Sequence, residues 1–68
     1  MNKQEEIRER LERYIRDLGV SQKFICNQLN MHQPVLSSYK RGKIDLSLDQ
    51  LSALERYLNE RDPKWIQN

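Results

Sequence analysis

Sixty-eight residues with a net charge of +2, 37% apolar and 32% charged, make one small domain at most, ordered rather than disordered. The single cysteine, Cys26, excludes an internal disulfide, no Cys/His set has metal-ligand spacing, and no apolar run nears the ~20 residues of a membrane span. With two glycines and two prolines among abundant Leu, Glu, Arg, Gln and Lys, helix is the default, and a charged, unsignal-like N-terminus fits a cytoplasmic chain.

The first predicted helix carries Ile7, Leu11, Tyr14, Ile15 and Leu18 as one apolar stripe. Glu6/Arg10, Glu9/Arg13 and Glu12/Arg16 are spaced as i, i+4 pairs with the acid first, the favourable order. Gly19 is expected to end the helix. Ser21 then stands at an N-cap, and a second helix is predicted over Gln22–Leu29, with Ile25, Cys26 and Leu29 facing inward. Asn30 suits the left-handed residue that closes such a helix, with Met31 tucked under the turn.

A third helix follows, with Leu36 and Tyr39 on its buried side, Val35 at the edge, and Gly42 as its stop. A residue before proline avoids the helical region, which places Gln33 at the cap and Pro34 at the first helical position. Ser47 caps a fourth helix in which Leu48, Leu51, Leu54 and Leu58 keep the helical period. Asp62-Pro63 resembles another helix start, so a short final turn carrying Trp65 and Ile66 is expected to fold back over the core.

Charge is unevenly distributed along these elements. Residues 1–18 hold five basic and five acidic side chains, whereas 18–44 hold no acid and include Lys23, Lys40, Arg41 and Lys43. A locally positive middle points to an anionic partner. Two eight-residue helices joined by a tight turn make a helix-turn-helix in outline over about residues 21–42.

"GVSQKFICNQLNMHQPVLSSYKRGKIDLSLDQL" resembles the lambda repressor-like (Cro/XRE-type) helix-turn-helix domains. The likeness runs without a gap from Gly19 to Leu58, about 60% of the chain, and rests on Ser21-Gln22, Leu29, Leu36 and Tyr39-Lys40-Arg41-Gly42-Lys43 in mutual register. Cys26 stands in place of the family's small alanine and Asn30 in place of its glycine. His32 and Pro34 stand where the family has a hydroxyl cap and a polar reader. The resemblance implies an all-α, compact four- to five-helix bundle, a single domain over 1–68. It also implies a cap at His32, one residue before the position that the proline rule favours.

DNA recognition needs donors that hold phosphates and side chains that reach base edges. Phosphate contacts are expected from Ser21, Gln22 and Lys23 at the second helix's N-terminus, and from Lys40, Arg41 and Lys43 beyond the third. Base contacts are expected from Gln33, Pro34, Val35, Ser37 and Ser38: glutamine suits adenine, and Pro34 or Val35 suits a thymine methyl. Sequence-specific binding to double-stranded DNA by a small phage- or bacterial-type transcriptional repressor is the leading expectation. It implies a homodimer on two half-sites, with Phe24, Leu58, Trp65 and Ile66 as candidate dimer contacts. The alternative is a protein-interaction module, such as an antitoxin or docking domain. Catalytic residues, cofactors, metals and small-molecule ligands are not expected, since one His, one inward-facing Cys and solvated acids assemble no reactive constellation.

Overall fold

The structure is a computed structural model that describes residues 2–64. The expectations placed on Trp65 and Ile66 therefore lie outside the described residues. Among the described residues four helices follow in order: α1 (Lys3–Leu18), α2 (Gln22–Leu29), α3 (Gln33–Lys40) and α4 (Leu48–Arg61). α1 packs against α4 and α3, and α2 against α3 and α4, around one apolar cluster.

Asn2 caps α1 by accepting from the Glu5 amide at 2.9 Å, and Gly19 ends it in the left-handed region with φ 66°. Ile7, Leu11 and Tyr14 are buried as predicted and Ile15 is half-buried, but Leu18, in the last turn, projects past the core and is exposed. Arg10 takes an inner position instead, with only 4% of its surface exposed. Burial lowers its pKa from the ordinary guanidinium range, and Asp62, Glu55 and Glu6 oppose that shift. Cations of α1 also reach partners outside the expected i, i+4 rows: Lys3 pairs with Glu55, Arg8 with Asp45, and Arg16 with adjacent Asp17.

α2 follows its predicted bounds. Ser21 Oγ accepts from the Phe24 amide at 3.0 Å, and Asn30 closes the helix at φ 54°. The Met31 amide then donates to the Cys26 carbonyl at 2.9 Å, which turns half-buried Met31 under the helix end.

α3 begins one residue earlier than the proline rule predicts. His32 is its cap, so Gln33 is the first helical residue and Pro34 the second. First-turn amides have no intrahelical acceptor, so the donor that Pro34 lacks is not missed there. The His32 carbonyl accepts from Val35 and Leu36 at 3.1 and 3.3 Å, although its imidazole makes no capping bond. At the other end Gly42, at φ 79°, donates to the Tyr39 carbonyl at 3.0 Å while Lys43 donates to that of Ser38 at 2.9 Å. This pair of bonds is a Schellman closure.

α4 opens with a complete capping box between Ser47 and Gln50. Leu46 and Leu51 flank that cap as a hydrophobic staple, both buried. Leu51, Leu54 and Leu58 are buried as expected, but Leu48 is 79% exposed at the first helical position, before the helix meets the core. Tyr57 fills the inner row, edge-on to Tyr14 at 5.8 Å between ring centroids. Asp62 ends α4 rather than only opening the next turn. Its amide donates to Leu58 and its carboxylate accepts from the Lys64 amide at 3.1 Å.

Candidate nucleic-acid interface

Helical geometry sorts the residues of α3 into two sides. At ~100° per residue, Gln33, Pro34, Ser37, Ser38 and Arg41 fall within an arc of about 140°, with Leu36 and Tyr39 opposite. Both of the latter have no exposed surface, so they anchor the helix to the body. Gln33 and Pro34 are exposed, and Ser37 and Ser38 half-buried. Val35 is half-buried, packs on the core and lies at the edge, outside the outward arc.

The predicted phosphate residues lie at two places around this side. At the start of α2, Ser21 and Lys23 are exposed, and Gln22 Nε2 donates to the Gln33 carbonyl at 3.4 Å. That long bond links the first turns of α2 and α3. At the end of α3 Lys40 is half-buried, and just beyond it Arg41 and Lys43 are exposed. Gly42 lets the chain reverse between them: a Cβ there would meet nothing within 4 Å, so the positive φ alone calls for glycine.

The segment carrying these cations is held from below by two residues of α1 that sequence reasoning missed. Arg8 Nε donates to the Tyr39 carbonyl at 2.6 Å, and Arg8 Nη2 to the Ile44 carbonyl and the Asp45 carboxylate, both at 3.1 Å. Its guanidinium also lies 4.6 Å from the centroid of the Tyr39 ring. Gln4 grips Leu46 by both backbone groups, donating to its carbonyl at 2.9 Å and accepting from its amide at 3.1 Å. Tyr39 completes the circuit, its hydroxyl donating to the Gln4 carbonyl at 2.7 Å. Burial pushes the Tyr39 pKa up to about 12, with Arg8 opposing. No local signal marks Arg8 or Gln4, because each finds its partners more than thirty residues away.

Elsewhere the chemistry is sparse. Cys26 is buried between α2 and its neighbours, and burial raises its thiol pKa. Among the described residues no group of three His, Cys, Asp or Glu is placed to hold a metal ion. No helix of the described residues is long and apolar enough to cross a membrane. Of the expected dimer contacts, Leu58 is fully buried in the core and is thereby removed, whereas Phe24 is 48% exposed.

Two short helices, a left-handed turn residue between them and an outward polar row are the layout of a helix-turn-helix. A family model described as "Helix-turn-helix" matches residues 7–66. The chain belongs to the lambda repressor-like helix-turn-helix family. Comparisons with curated proteins and with solved structures give no match. In this helix-turn-helix domain α3 occupies the place of the recognition helix and α2 that of the helix crossing the backbone. The family is one of DNA-binding regulatory domains.

Proposed function

We propose that the chain is a sequence-specific double-stranded DNA-binding protein, a small transcriptional repressor of phage or bacterial type that acts in the cytoplasm as a single domain. It inserts residues 33–41 in the major groove. The observation that carries this reading is the outward row Gln33, Pro34, Ser37 and Ser38, flanked by Lys40, Arg41 and Lys43 with no acid on the same helix. Gln33 reads adenine, the serines adapt to their base, and Pro34 packs on a thymine methyl, with the edge of Val35 at most beside it. Ser21, Gln22 and Lys23 hold phosphates at the N-terminus of α2, while Lys40, Arg41 and Lys43 hold those across the groove.

One such helix contacts few bases, so the protein binds as a homodimer on two half-sites about one helical turn apart. Exposed Phe24 belongs to that contact. Selection of duplexes from a random pool, followed by fluorescence titration, tests the whole reading. Four cations per half-site, eight in the dimer, at ~0.9 of a counterion each, weaken binding by about four orders of magnitude between ~50 and ~200 mM salt. A flat response, or a pool that enriches nothing, refutes it. The second reading, a docking module, is favoured by the individual exposure of the large apolar side chains Phe24, Ile44 and Leu48; it predicts capture of a protein partner with no duplex enriched.

A further inference from the structure

The phosphate-holding segment does not stand by itself. It comprises the last residue of α3 and the turn after it, so that Lys40, Arg41, Gly42 and Lys43 lie between Tyr39 and Ile44. A single guanidinium spans both ends, since Arg8 donates to the carbonyls of Tyr39 and of Ile44 and pairs with Asp45 beside the latter. The Tyr39 carbonyl lies at the negative end of α3, where a cation is favoured, and accepts from Arg8 as well as from the Gly42 amide. Arg8 keeps only 17% of its side chain exposed, and its Nε and Nη2 are already engaged by these acceptors.

We infer that Arg8 is a positioning residue for DNA binding: from α1 it holds the Lys40–Lys43 segment in its binding shape, without itself contacting DNA. Gln4 assists by fixing Leu46 just beyond. The inference rests on the DNA-binding reading above. Its physical content is preorganisation. A segment already ordered in the free protein loses less freedom when its cations meet phosphates. A planar fork suits this task because one group reaches two carbonyls at once, which a lysine ammonium on a flexible stem does not reproduce.

Arg8→Met keeps much of the stem and removes the fork. Binding to a selected duplex is expected to weaken about tenfold at every salt concentration, with the slope of log affinity against log salt unchanged. In the free protein, hydrogen exchange at the Gly42 and Lys43 amides, which donate to Tyr39 and Ser38, is expected to quicken while core amides of α1 and α4 hold. Arg8→Lys is expected to bind as weakly as Arg8→Met.

Wild-type affinity in Arg8→Met overturns the inference, and so does restoration by lysine. A slope lower by about one per half-site overturns it too, since that marks a direct phosphate contact. Faster exchange throughout the chain would reduce Arg8 to a general support of the fold. Should Arg8→Met fail to fold, Gln4→Ala is expected to give the same exchange pattern with about threefold weaker binding, and no change there is equally fatal. If the wild-type chain enriches no duplex, the DNA reading fails by itself, and exchange at Gly42 and Lys43 alone decides the brace.

Discussion

Gly42 and Asn30 occupy the same left-handed conformation for different reasons of chemistry. Glycine meets no Cβ penalty, and asparagine is the side chain that best tolerates it. Gly42→Ala is therefore expected to lower stability by about 1 kcal/mol through backbone strain alone, given the open space around it. Urea denaturation checks this; an unchanged midpoint means that the turn relaxes to another shape. Both positions were legible because their rule is local: each follows a short apolar-periodic helix and needs no knowledge of the rest of the fold. Arg8 was illegible for the opposite reason. It sits on the same arginine-rich helix as Arg10, Arg13 and Arg16, and only the return of the chain at Tyr39 and Ile44 distinguishes it.

Among the helices, the quality of the caps differs. α1, α2 and α4 each start at a side chain that accepts from a first-turn amide, whereas α3 starts at His32 without one. His32→Ser is expected to stabilise the chain by about 0.5–1 kcal/mol, read as a raised thermal midpoint; a lowered midpoint would mean that the imidazole supports the turn in another way. The start of α3 also marks where sequence rules conflict. The proline rule displaced the cap to Gln33, while family register kept it at His32, and register prevailed because Pro34 forfeits nothing at a second helical position. Period alone likewise misjudged both ends of the apolar stripes. Leu18 and Leu48 keep the spacing but lie at helix termini, past the reach of the core, and Tyr57 and Arg10 take inner places that a search for aliphatic residues overlooks.

For the whole molecule, the core couples stability to alkaline pH through its tyrosines. Burial raises Tyr39 to about 12, and burial with the Tyr14 hydroxyl 3.5 Å away raises Tyr57 as well. Both phenols are thus held protonated in the fold at a pH where the unfolded chain releases the proton. Stability is expected to be level below pH ~10, the unfolded phenol value, and to fall as pH climbs towards the folded one. Urea midpoints at pH ~9 and ~11.5 check the sign, and equal midpoints would refute the linkage. A final consequence follows from how α3 is attached. Leu36 and Tyr39 carry its fully buried surface, while Gln33 and Pro34 are exposed and Ser37 and Ser38 half-buried. On the proposed reading, what this chain recognises can accordingly be rewritten largely apart from how it folds. Substitutions at exposed Gln33 and Pro34 are then expected to create new preferences within one scaffold, so that two descendants of one ancestor diverge in target while remaining superimposable in shape.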